Sequence, residues 1–235
     1  MAKLWQMMIS LTTCCVALTG VCVVLAGGSF LLRGDLAATI NSVPLAEWLL
    51  RAPLSWSWWL WLAVVLTAVL VINTAACSAE TVRQRWRRCT WSALLGPQLT
   101  HAGFLLIVAA HGISAAGGSS GQIELSEGMT AALPDGSRFG VLSIRVDSSP
   151  AGMPLAYACD VAPLSSGSAG RVTLSPNHPW FSGGYGVYLK QASVIPYRRA
   201  LLEVHREPGG GMALAGALIF SCGCLLLFRR QKLTV

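Results

Sequence analysis

Two histidines inside one apolar run are the residues best placed to do chemistry. His101 and His111 stand in Leu-Thr-His-Ala-Gly-Phe-Leu-Leu-Ile-Val-Ala-Ala-His-Gly, residues 99–112. An imidazole is costly in hydrocarbon unless it finds a partner, so each is a candidate ligand. On a helix, ten residues at about 1.5 Å each separate the rings by about 15 Å along the axis and about 80° around it. They cannot hold one small metal together. Each could be one axial ligand of a separate cofactor, with the second ligand supplied by another helix or chain. The competing reading of His101 is an interfacial residue bonded to a lipid headgroup or a helix carbonyl. For His111 it is an interhelical hydrogen bond beside the small residues Ala110 and Gly112.

Other reactive types do not assemble into a catalytic set. The chain has no nucleophile elbow, no H-E-x-x-H, no phosphate-cradling glycine loop before a helix, and no suggestively spaced carboxylate pair. Of eight cysteines, Cys14, Cys15, Cys22, Cys77, Cys222 and Cys224 lie in or at the ends of apolar runs, and Cys89 lies in a basic loop. Cys159 is left alone in the polar part. With no C-x-x-C and no C-x-x-C-H, neither thioredoxin-like chemistry nor covalent haem attachment to this chain is expected. His178, in the Pro-flanked turn Ser-Pro-Asn-His-Pro-Trp, and His205, near a strand end, read as turn and surface residues. Trp180, Phe181, Tyr185 and Tyr188 read as sandwich core, with stacking on a flat ligand as the alternative.

The elements that must position these residues follow from composition. The chain has 235 residues, 54% hydrophobic and 11% charged, which excludes disorder, fibres and an ordinary soluble enzyme. Spanning a hydrocarbon core about 30 Å thick takes about 20 apolar residues. Four such runs are expected at about Met7–Leu32, Trp56–Cys77, Leu99–Ala116 and Met212–Phe228. The second opens with Trp56, Trp58, Trp59 and Trp61, which suit a membrane–water boundary. Met1–Ala26 also fits a secretory signal ending in Val-Leu-Ala, but its apolar stretch exceeds an ordinary signal core, and it is taken as a retained helix.

The net charge of +7 is topological. Lys3, Arg83, Arg85, Arg87, Arg88, Arg229, Arg230 and Lys232 fall on one side of the four runs against Glu80 alone, which predicts a cytoplasmic location for that side and for both termini. Residues 117–208 carry seven basic and seven acidic side chains. The basic loop is expected to sit against anionic membrane lipids, not nucleic acid.

Three domains are expected: three membrane helices over 1–116, an exported β-rich domain over 117–208, and a fourth helix with a basic tail over 209–235. The expected fold class is membrane α+β, with an antiparallel sandwich or barrel between helices three and four. Candidate strands are Gln122–Leu125, Phe139–Val146, Leu155–Val161, Arg171–Leu174, Tyr185–Val194 and Ala200–His205, separated by the turns Pro134-Asp135-Gly136, Pro150-Ala151-Gly152 and Ser182-Gly183-Gly184.

Two segments carry a family resemblance. Gly121-Gln-Ile-Glu-Leu-Ser-Glu-Gly128, after the histidine-bearing run, resembles the ResB (CcsB) proteins of system II cytochrome c biogenesis. So does Ser175-Pro-Asn-His-Pro-Trp-Phe-Ser-Gly-Gly-Tyr-Gly-Val-Tyr188, as does the order of three helices, a β-rich exported domain and a last helix. The resemblance is best from about Leu95 to Arg206. It implies a subunit, non-catalytic or co-catalytic, of a cytochrome c synthase. With a ResC (CcsA)-like multi-span partner it would carry haem b outward and present it to apocytochrome c. The family's haem-ligating histidine lies near the cytoplasmic start of the third helix, and His101 matches it. Arg87 and Arg88 could meet the haem propionates, although a stop signal also explains them. Trp58-Trp59-Leu60-Trp61 lacks the flanking histidines of the partner's tryptophan-rich segment, the β domain is short for the family, and no role carries over to His111. A structural subunit that docks a partner through the β domain and binds no haem is the alternative; a sensor or transporter of another solute is a third reading.

Overall fold

The structure, a computed structural model, describes residues 2–32, 40, 42–85, 91–151, 153–164 and 170–231. The chain divides into two compact units. One holds the helices α1 Ala2–Met8, α2 Leu11–Leu31, α3 Leu45–Arg51, α4 Leu54–Arg85, α5 Trp91–Gly117 and α6 Gly210–Gln231. The other holds eight strands between α5 and α6 in sequence. Among the described residues, four helices are long and apolar enough to cross a membrane: Leu11–Leu31, and the stretches Leu54–Gln84, Leu94–Gly117 and Gly210–Arg229. The chain is a multi-pass membrane protein of mixed α+β class.

The spans are where the apolar runs put them, but their ends differ. The first run is broken at Ile9–Ser10, because Ser10 turns extended and caps α2 by accepting a hydrogen bond from Thr12 N at 3.2 Å. The carbonyls of Met8 and Ile9 freed at this elbow are met from α4, and Ser10 O, which already accepts from Cys14 N at 3.2 Å, takes a second bond there. Asn73 Nδ2 donates to Met8 O at 2.6 Å and Ser10 O at 3.1 Å, and Cys77 Sγ donates to Ile9 O at 3.2 Å. Unmet carbonyls are expensive in hydrocarbon, so the elbow and Asn73 belong together. The second run continues past Cys77 to Arg85, since Arg83 and Gln84 both bond Glu80 and extend the helix to 32 residues, about 48 Å. The third starts at Trp91, eight residues before the expected Leu99, and passes through Gly96 and Pro97. Helix α3 lies between the first two expected runs; it buries Trp48 and pairs Arg51 with Glu47 at 2.7 Å.

Helix contacts rest on small residues. A Cβ on Gly28 would run into the Trp59 ring, and one on Gly20 would lie 3.1 Å from Leu66 Cδ1, so α2 packs closely on α4. Gly96, Gly103 and Ala110 of α5 recur every seven residues, as do Gly209, Gly216 and Gly223 before and along α6. The two rows meet antiparallel: Gly209 on Ala110, Gly216 on Gly103, and Gly223 on Gly96 and Thr100. A Cβ on Gly103 would lie 2.5 Å from Phe220 N, closer than any packed side chain allows. Small residues at two-turn spacing let the backbones touch, which is where helix association in lipid draws its dispersion energy.

The β unit is a sandwich. One sheet runs β1(Ser119–Ser126), β8(Arg199–Arg206), β7(Tyr185–Ser193), β6(Trp180–Ser182); the other runs β2(Thr130–Ala132), β3(Arg138–Ser148), β4(Pro154–Pro163), β5(Val172–Leu174), all antiparallel. Phe139, Val141, Ile144, Cys159, Val161, Leu174, Val187 and Leu202 fill the space between them. The six expected strands all form; β2 and β6, three residues each, are too short to show an alternation and were not expected.

Candidate functional site

His101 is the eleventh residue of α5, about 15 Å along it, and so lies deeper in the helix than a start at Leu99 would place it. Two residues separate it from Gly103, or about 160° around the axis, which turns it away from the α6 seam. It lies instead near the side of Gln98, three residues earlier. Gln98 is tied to α4: its side chain bonds the Ser78 hydroxyl, and its Nε2 donates to Ser78 O at 3.4 Å. The His101 ring is partly buried, and its Nδ1 is fully buried with no hydrogen-bond partner. An imidazole nitrogen in that state is an open coordination or hydrogen-bonding valence in a low-dielectric setting.

His111 differs. Its ring is exposed, and Nδ1 lies 2.8 Å from Ile107 O. A carbonyl only accepts, so Nδ1 carries the proton. In the neutral ring Nε2 is then the nitrogen with the lone pair. Arg87 and Arg88, the expected propionate cations, lie outside the described residues, as does Lys232.

In the β unit the two remaining histidines separate. His178 closes a turn, bridged to Ser175 and following Asn177, whose φ of 65° is left-handed. His205 lies on the outer face of its sheet, with Nε2 3.1 Å from Glu203 Oε1. The aromatic set, expected as core, splits by strand alternation. Trp180 and Tyr185 point inward, Trp180 edge-on to Phe139 at 5.7 Å between ring centres. Phe181 and Tyr188 point outward, and Tyr188 lies between Phe181 and His205. A cleft of about 240 Å³ opens between edge strands β1 and β2, lined by Ser119, Gln122, Leu133, Pro134, Phe139 and Val204 among others. That is below the usual range of small-molecule pockets, about 300–1,000 Å³.

Sequence reasoning missed Asp160. Its side chain is 1% exposed, on the outer face of β4, under Arg145 and Arg171. Ser143 Oγ donates to it at 2.7 Å, Thr173 Oγ1 at 2.6 Å, Arg145 Nη1 at 2.8 Å and Nη2 at 3.3 Å, and Arg171 Nη2 also bonds it. Burial pushes its pKa up, but the bonds from Thr173, Ser143 and Arg171 and the charge of Arg145 outweigh it. Asp160 is therefore held well below the usual carboxylate range. A signal existed only in pairs: Asp160 faces Ser143 on one strand and Thr173 on another, a register no single strand reveals. Its neighbour Cys159 points into the core, where burial first and the charges of Asp160 and Glu127 next push the thiol up to about 11. No cluster of three or more His, Cys, Asp or Glu side chains able to hold a metal occurs among the described residues.

No family model matches the chain, and no curated protein matches it. Among solved structures, the chain is similar to one titled "Cytochrome c Heme Lyase CcmF", with a TM-score of 0.47 and 16% identity over 89% of this chain. The chain spans 38% of the length of that protein.

Proposed function

We propose that this chain is a ResB-like, haem-handling subunit of a cytochrome c synthase, with haem b as its cargo. The observation that carries this reading is the buried, unpartnered Nδ1 of His101 in a membrane-spanning helix. A neutral imidazole with an open valence in hydrocarbon suits one axial position of an iron porphyrin, and a histidine from a ResC/CcsA-like multi-span chain would supply the other. The β unit would lie on the extracytoplasmic side of the plasma (inner) membrane, with both termini cytoplasmic, as the distribution of Lys and Arg favours. There it would help present haem to apocytochrome c. The two β-unit segments that resemble ResB support the same reading.

His111 is a second candidate. Its Nδ1–H is anchored on a carbonyl, as in many metal-ligating histidines, which leaves Nε2 to bind iron or to accept a bond from a partner helix.

Purification of the chain with its multi-span partner, followed by a visible spectrum, tests the proposal. We expect His101→Ala to lose bound haem or change its axial ligation. Unaltered haem content and ligation in that variant would remove the role. The second reading, a structural subunit without haem that docks its partner through the β unit, is favoured by the exposed apolar side chains Phe181, Ile195 and Tyr197. It predicts that His101→Ala lowers complex stability while the chromophore stays unchanged.

A further inference from the structure

The outer face of the β2–β3–β4–β5 sheet is a low surface of small side chains, with Arg145 and Arg171 gathered over Asp160 and a further arginine, Arg138, at the Gly140 end. Antiparallel partners share a face, so the rows Ala162–Gly140, Asp160–Ser143, Ala158–Arg145 and Ala156–Asp147 all point outward. Three of the four β4 positions are alanine, and β3 adds a glycine, so the β3–β4 centre is low, flanked by Thr130 beside Gly140 and by the arginines. Leu164 and Leu142, each about half exposed, border the Gly140 end.

Five hydrogen bonds already reach Asp160, whereas an ionised carboxylate offers about four lone-pair sites. It has no capacity left. Arg145 and Arg171 are nevertheless 54% and 57% exposed, and apart from Asp160 and the Ser143 hydroxyl, which Arg171 Nη2 reaches at 3.1 Å, their guanidinium groups bond no other described residue. Two guanidiniums against one carboxylate leave a formal charge of +1 on preorganised donors. A second carboxylate can be met there without the cost of ordering the arginines. Asp147, two rows from Asp160, repels an anion from its end, so the body of a ligand would extend over Ala162 and Gly140 towards Leu142 and Leu164.

We infer that this face binds a planar apolar molecule through its carboxylate, namely the porphyrin of haem through a propionate, with Arg145 and Arg171 as the anchoring pair. The inference rests on the haem-handling reading and adds a resting place for the cargo on the β unit, separate from His101.

Metal-free protoporphyrin IX, which needs no axial ligand, is the probe, titrated by fluorescence into the full chain in neutral detergent micelles. We expect it to bind about tenfold tighter than its dimethyl ester, the factor for losing one charge-assisted contact. Arg145→Gln and Arg171→Gln should each remove that preference, and His101→Ala should leave it intact. Ala162→Glu, which leaves the Asp160 bonds untouched, should also weaken binding and covers the case in which an arginine variant misfolds. Equal binding of acid and ester, or an unchanged preference in Ala162→Glu and the arginine variants, overturns the site. Displacement of the porphyrin by equimolar phosphatidylglycerol also overturns it, by making it a lipid headgroup site. Loss of this preference with His101 ligation intact sinks only this inference. An unaltered haem spectrum in His101→Ala with the preference intact sinks only the haem-ligand reading.

Discussion

A buried charge is tolerable only when its bonds are made, and Asp160 shows what that implies for acid stability. Its pKa is held below the unfolded value of about 4, so its contribution is complete above that pH and is lost as the pH falls towards the folded value. Asp160→Asn should cost about 2 kcal/mol at pH 7, read by denaturant unfolding of the β unit within the full chain. The gap between the two chains should close as the pH is lowered to about 2. Cys159 makes the opposite case, a thiol kept protonated by burial. Alkylation at pH 8 mapped by mass spectrometry should leave it unlabelled in the native chain and labelled in denaturant.

At the scale of elements, a helix pair with touching backbones is sensitive to single atoms. Gly103→Ala places a methyl 2.5 Å from Phe220 N, and the expected loss is about 1–3 kcal/mol in thermal unfolding in detergent. Gly112→Ala, on the same helix with nothing within 4 Å, should be neutral or stabilising by up to about 1 kcal/mol. Asn73→Leu should destabilise by about 1 kcal/mol, because the Met8 carbonyl loses its donor and the Ser10 carbonyl keeps only Cys14 N. The existence of these elements was legible in the sequence and their ends were not. The bilayer demands some 20 apolar residues, which any reading of composition finds. The elbow at Ser10 instead depends on Asn73, 63 positions away. The end of α4 depends on bonds among Glu80, Arg83 and Gln84, and Gly96-Pro97 looks like a break that the helix runs through. His101 and His111 stood out as imidazoles in hydrocarbon, but only coordinates separate the unpartnered ring from the satisfied one. Asp160 stayed hidden because its significance is a property of three strands.

For the molecule as a whole, acidic side chains are concentrated away from the membrane helices. Residues 117–208 hold seven of the ten acidic side chains, several of them in ion pairs, whereas one span is joined to another by apolar contacts and uncharged hydrogen bonds, the Glu80–Arg83 pair lying within the last turns of α4. Acidification in detergent from pH 7 to 2 should abolish the tertiary signal of the β unit while helical circular dichroism persists. Simultaneous loss of both would show that the two units unfold as one.

The matched glycine rows of α5 and α6 carry a further consequence. Two combs of equal pitch can mesh one tooth out of step: a slide of seven residues, about 10 Å, would set Gly216 against Ala110 and Gly223 against Gly103. Backbone proximity alone does not distinguish the two alignments. The hydroxyl of Ser114, which accepts from Gly209 N at 3.2 Å, is a contact that the observed alignment makes and the shifted one loses, as is the pairing of Ser119 with Arg206 that ties the chain on either side of the seam.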